Sequence, residues 1–147
     1  MPKSSKISIV VESIFCRIEE RVNSNGSKQF TDEEILTLHS VFGATLQRAF
    51  EILEKYPTLE TYSNCNNGRV LVEIKGENDR CYRVFPRINF CPCLAFKHQV
   101  IEKKSQLMCK HVLAARIAMI LDRIVDHKVT QDQYLMLLRS MFEEQNG

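Results

Sequence analysis

The first apolar residues of the chain fall at helical spacing. Ile7, Val11, Ile14, Phe15, Ile18 and Val22 recur at intervals of three and four, which places them on one face of a helix. Asn23-Ser24-Asn25-Gly26-Ser27 breaks the pattern and predicts a loop. Thr31 and Glu34 stand at the spacing of a capping box, in which each side chain accepts from the other residue's backbone N–H. A helix is expected to start there and carry Ile35, Leu38, Val41 and Phe42 inward. Gly43 is placed to kink or divide it before Leu46, Ala49, Phe50 and Leu53, and Pro57 ends the helical part. From Leu59 the period shortens. Residues 59–63, 69–75 and 80–85 read as strands, joined by turns at Asn66-Asn67-Gly68 and Gly76-Glu77-Asn78-Asp79. Val70, Val72 and Ile74 alternate with Leu71, Glu73 and Lys75, as in an antiparallel strand buried on one face only. The helical period returns after Cys109 through Val112, Ala115, Ile117, Ile120 and Leu121. Thr130 is placed to cap a last helix containing Tyr134, Leu137, Leu138, Met141 and Phe142. The expected fold class is therefore α+β, a small antiparallel sheet with N-terminal helices and a C-terminal helical part. With no internal repeat or low-complexity segment, residues 1–147 read as a single domain.

Composition adds constraints to this outline. The 147 residues are 44% apolar, enough for one core. No apolar run approaches the roughly 20 residues of a membrane helix. The run Ile7 to Val11 is ended by Glu12, short of the roughly 7–15-residue apolar core of a signal peptide. The chain reads as intracellular, where thiols stay reduced, so its six cysteines call for something other than three disulfides. The net charge of +2 does not announce a nucleic-acid binder, but its distribution is uneven: residues 80–116 carry +7 and the remainder −5.

The candidate chemistry lies in Cys91-Pro92-Cys93 and, after fifteen intervening residues, Cys109-Lys110-His111. Structural zinc takes four S or N ligands in a tetrahedron, and three cysteines with one histidine complete such a set. Pro92 fixes φ in the middle of the first pair and lowers the entropy lost on ordering the bend. Cys109 and His111 sit where a last strand-like stretch gives way to an apolar helix, whose first N–H groups favour a thiolate. Three thiolates and one neutral imidazole leave a zinc complex at about −1, which Lys110 and Arg116 are placed to offset. The reading is one structural Zn2+ per chain on Cys91, Cys93, Cys109 and His111. Single-residue gaps within both pairs depart from the two to four residues usual in zinc fingers.

These residues resemble the SWIM zinc finger: Cys-x-Cys, a spacer in the mid-teens, then Cys-x-His. The likeness extends through Ala95-Phe96 and through His111-Val112-Leu113-Ala114. Chain size and the Val41-Phe42-Gly43 helix ahead of the hairpins narrow it to the SWIM subunits of Shu complexes, the family called zinc finger SWIM domain-containing protein seven in animals. The resemblance covers residues 31–126, with the zinc module at 58–123. It implies a nuclear, non-enzymatic accessory protein that pairs with a RecA-like paralogue. Such a complex supports recombinase filaments on single-stranded DNA during homologous-recombination repair, and the subunit itself contacts that DNA indirectly or weakly.

Other residues carry weaker signals. Ala114 is one helical turn from His111 and is expected to let the helix pack closely beside the zinc site. Arg83, Arg87, Lys97, Lys103, Lys104 and Lys110 are candidate nucleic-acid contacts, against the simpler reading of a solvated basic face. His98 is expected to face solvent, Cys65 and Cys81 to be structural thiols, and Cys16 to fill space in the first helix. His39 and His127 have no ligand pair nearby. Tyr82, Phe85, Phe90 and Phe96 could all be core, so no aromatic platform for single strands is visible. No phosphate-binding G-x-x-x-x-G-K-S/T loop, C-x-x-C or G-x-S-x-G motif occurs, and no small-molecule substrate is indicated. A free-standing nucleic-acid-binding zinc module is the alternative to the accessory subunit, and a Cys/His enzyme a third reading.

Overall fold

In the computed structural model the described residues are 9–64, 69–76 and 80–146, with side chains described to 141. The expected turns at Asn66-Asn67-Gly68 and Glu77-Asn78-Asp79, together with Cys65, Ile7 and the side chain of Phe142, lie outside them.

Helix α1 (Ile9–Asn25) buries Val11, Phe15, Ile18 and Val22, the face its spacing predicts. Ile14 is only partly buried, while Cys16, expected as a filler, is exposed. Helix α2 (Asp32–Phe42) begins with both halves of the capping box: Glu34 N donates to Thr31 Oγ1 at 3.1 Å, and Thr31 N to Glu34 Oε1 at 2.9 Å. Arg21 of α1 donates to the same carboxylate from Nε (2.9 Å) and Nη2 (2.6 Å), tying the two helices together. At Gly43 the chain does divide. Its φ of 58° is left-handed backbone that favours glycine, and helix α3 (Ala44–Lys55) starts directly after it.

The Arg21 donation holds the Glu34 carboxyl below its ordinary range. That stabilisation is present in full above the unfolded-chain value and is lost as pH falls through the lower folded value. Thr31→Ala should cost about 1 kcal/mol in urea melts at neutral pH. Glu34→Gln keeps a capping acceptor but loses the charge, so its deficit should shrink towards zero on acidification below about pH 4. A pH-independent deficit would mean that the charge contributes nothing.

Strands β1 (Leu59–Ser63), β2 (Val70–Lys75) and β3 (Cys81–Val84) form the expected antiparallel meander, with Thr61 opposite Val72 and Val72 opposite Val84. The sheet is not antiparallel throughout. A fourth strand, β4 (Ile124–Lys128), pairs parallel to β1 with Thr61 opposite Asp126, giving the order β3-β2-β1-β4. Asp126 accepts from Thr61 Oγ1 at 2.8 Å and Ser63 Oγ at 3.2 Å, and Lys128 Nζ lies 3.2 Å from it. These bonds fix the parallel register.

Helix α4 (Lys110–Ile120) is central. Every residue from His111 to Ala118 is buried, as suits a helix that is apolar all round. Helices α1 and α3 and strands β2 and β3 pack against it. On the sheet's other face, helix α5 (Gln131–Asn146) starts with a second reciprocal cap between Thr130 and Gln133. Arg83 Nη1 donates to Ser140 Oγ at 2.7 Å and holds α5 to that face. Hence β2 is not half-buried as its alternation suggested, because Leu71 on the α5 side is as inaccessible as Val72 and Ile74 on the α4 side. Helix α5 buries Tyr134 and Met141, so both terminal helices serve the core.

Candidate metal centre

Behind β3 the chain makes a tight antiparallel bridge. Phe85 N donates to Phe90 O at 3.0 Å and Phe90 N to Phe85 O at 3.1 Å, around a single 3-10 turn at Pro86–Ile88. Asn89 closes this turn in left-handed conformation (φ 51°), and its buried Nδ2 donates to Leu107 O at 2.9 Å. One side chain thus ties the segment entering Cys91 to the segment entering Cys109. Sequence reasoning passed over Asn89. The signal available was an asparagine, one of the few residues that tolerate positive φ, just after Pro-Arg-Ile.

After Cys93 the backbone turns into a π-helical segment, Phe96–Glu102, and then runs irregularly to Cys109. The strand-like stretch expected ahead of Cys109 is therefore not a strand. Cys109 is the N-cap residue of α4, in extended conformation at φ −80°, and His111 lies in the first turn. The ligand atoms of Cys91, Cys93, Cys109 and His111 all lie within 4.8 Å of one another, and all four residues are buried. His111 Nδ1 is 3.7 Å from Cys91 Sγ. Among the described residues this is the one cluster of metal-ligating side chains.

The electrostatics of the cluster fit a cation. Burial pushes the Cys91 thiol well up, and burial pushes Cys109 up to about 12. Donation from the Cys109 and Cys91 thiols pulls Cys93 far down, and Phe96 N also donates to Cys93 Sγ at 3.3 Å. Three buried thiolates need a positive ion among them. Three soft sulfurs, one imidazole and no carboxylate are a donor set suited to zinc.

Supporting contacts fix the histidine. The Tyr82 ring stacks on His111 with centroids 4.4 Å apart and planes 29° from parallel. A Cβ on Gly76 would stand 2.5 Å from Tyr82 Cε2, so the bare backbone there lets the ring rest where it does. Ala114 is fully buried, one turn beyond His111. Arg116 does not offset the site's charge. It crosses to α1, where Nη1 and Nη2 donate to the Glu12 carboxylate at 2.8 and 3.1 Å, and its guanidinium lies 4.6 Å above the Phe15 ring.

Of the candidate nucleic-acid contacts, Arg87, Lys97, Lys103, Lys104 and Lys110 are exposed. Arg83 is not one of them, since its side chain is 16% accessible and engaged by Glu73 (3.3 Å) as well as Ser140. His98 is exposed as expected, with Nδ1 3.2 Å from Glu102. Cys81 is half-buried in β3, outside the cluster. His127 reaches Glu60 and stacks on Tyr62, away from the cluster.

Comparison with known proteins agrees with this geometry. The chain is 28% identical over 111 residues to zinc finger SWIM domain-containing protein 7 of Danio rerio, across 76% of this chain and 78% of that protein. It is 27% identical over 129 residues to the Mus musculus protein of that name, covering 88% and 82%. To the Homo sapiens protein it is 24% identical over 129 residues, covering 88% and 89%. The chain is similar to each of these proteins over most of its length. No family model and no solved structure matches it. Among the described residues no helix is long and apolar enough to cross a membrane.

Proposed function

We propose that this chain is a non-catalytic accessory subunit of a Shu-type complex, acting in the nucleus in homologous-recombination repair. The observation that carries the reading is the buried Cys3His cluster in a chain related over most of its length to SWIM-type proteins. One zinc per chain, bound by Cys91, Cys93, Cys109 and His111, would clamp the bridge behind β3 to the start of the central helix. Four protein ligands leave no open coordination position, so the ion supplies structure rather than Lewis-acid chemistry. The chain's part is to present a rigid surface to a RecA-like paralogue, and the pair then helps recombinase filaments form or persist on single-stranded DNA.

With both terminal helices engaged in the core, the partner surface falls to what they leave outside. Leu135 and Met136, 47% and 70% exposed on α5, replace Ile14 and Leu138 as the positions to alter. Purification from cells should yield a RecA-like protein in stoichiometric amount, and Met136→Asp should reduce that yield while leaving zinc content unchanged. If the chain is isolated alone, and its loss leaves recombinase foci after DNA damage unchanged, the recombination reading fails and the free-standing zinc module replaces it.

A further inference from the structure

A cleft of about 570 Å³ opens beside the metal cluster, between helix α3, the adjoining ends of β2 and β3, and the start of α4. That volume lies within the roughly 300–1,000 Å³ of ligand sites. Its described lining includes five cations, Arg48, Lys55, Lys75, Arg80 and Lys110, against one carboxylate, Glu51. All five are exposed, and none forms an ion pair with a described residue. Like charges gathered around a concave surface reinforce one another's field and attract anions. They also repel one another, a cost that a polyanion would relieve.

Two features narrow the class of anion. Arg48 and Lys55 stand seven residues apart on one face of α3, a span of about 10 Å along the helix, longer than a single phosphate. The half-buried rings of Tyr56 and Tyr82 also line the cleft. Aromatic faces beside a cationic track are the elements by which unpaired bases are stacked and their backbone followed.

We propose that this cleft binds a short stretch of single-stranded nucleic acid, its phosphates along Arg48 and Lys55 and across to Lys75, Arg80 and Lys110, with a base against Tyr56. From the accessory-subunit reading the inference takes only the presence of single-stranded nucleic acid nearby. It moves the contact surface away from Lys97, Lys103 and Lys104, and adds Arg48 and Lys55, on a helix outside the zinc module, to Lys75, Arg80 and Lys110 within it. Because the Tyr82 ring rests on His111, the metal cluster fixes one wall of the cleft.

The test is fluorescence anisotropy of a labelled oligothymidylate titrated with the zinc-loaded full chain across a salt series. Arg48→Glu and Lys55→Glu, both at exposed positions, should each keep zinc content and melting temperature. Each should weaken binding and flatten the plot of log affinity against log salt by about 0.7 for every phosphate that is no longer neutralised. Arg139→Glu, an equal charge change on α5, should leave the affinity unchanged. Thymidine monophosphate and inorganic phosphate should compete far less well than the unlabelled oligomer, and duplex DNA less well than the single strand. Absence of binding by the wild-type chain at low salt overturns the proposal. So does wild-type affinity in both cleft variants, or equal weakening by Arg139→Glu. Equal competition by the monophosphate would make this a small-anion site instead. Failure of the cleft variants to co-purify with a protein partner, with oligomer affinity intact, would assign the cleft to an acidic protein face. A chain that fails these tests yet still co-purifies with a RecA-like protein leaves the accessory-subunit reading standing.

Discussion

Removal of the metal is expected to lower the melting temperature by on the order of 10 °C. A ligand held at a free concentration a thousandfold above its dissociation constant stabilises by about 4 kcal/mol. For a chain of this size each kcal/mol is worth about 2–4 °C. The loss should be this large because the ion would add a tie between two segments that the Asn89–Leu107 hydrogen bond and core packing also join. Cys109→Ser and His111→Ala should each abolish or greatly weaken retention of the one zinc expected per chain, and should melt early even in added zinc. Elemental analysis and thermal melts with and without a strong chelator decide the matter. Superimposed melts, with the metal confirmed absent after chelation, would show that it is not structural. Acidification should release the ion, since thiolates and neutral imidazole are required to bind it.

Glu12→Ala is the second large effect expected. Arg116 is 5% exposed, and its charge is met by the Glu12 carboxylate and the face of Phe15. Removing one partner of a buried pair costs about 3–5 kcal/mol, chiefly because the other charge is left buried and unpaired. The Glu12 side chain keeps 37% of its accessibility, so water can replace part of the interaction and a loss of about 2–3 kcal/mol is expected. Combining Glu12→Ala with Arg116→Met should restore most of that stability, because the guanidinium that needed a partner is gone. Urea unfolding of the two single variants and the double variant measures the coupling directly. Additive losses would mean that the pair does not act as a unit, and that α1 is held to α4 by its apolar contacts alone.

Zinc content and zinc-dependent melting report on the Cys3His cluster alone. The Glu12–Arg116 pair reports on the seam between α1 and the central helix. If both tests succeed, the terminal helix and the metal each stabilise the same buried helix from different sides. That arrangement explains why α4 carries almost no exposed surface.

Much of this protein is written in short-range pattern. Thr31 with Glu34 and Thr130 with Gln133 act within four residues of one another, so the sequence alone determined where α2 and α5 begin. Alternation over six residues determined β2, and two tightly spaced pairs determined which four side chains gather at the candidate metal centre. What the tertiary structure decided are the long-range partners. Ile124-Val125-Asp126-His127-Lys128 has too few apolar residues to read as a strand, and it is Thr61 and Ser63, more than sixty residues away, whose hydroxyls donate to Asp126 across the parallel pairing of β4 with β1. Arg83 and Arg116 looked like members of a basic face until Glu73, Ser140 and Glu12 were brought beside them by packing. The cleft, conversely, joins Arg48 and Lys55 to a basic segment that begins at Arg80, although α3 showed only an ordinary amphipathic pattern. Hydrogen bonds between near neighbours and side-chain periodicity are properties of local chain geometry, and so they are legible in one dimension. Which charge meets which across a core depends on how separate elements pack, and no local pattern records it.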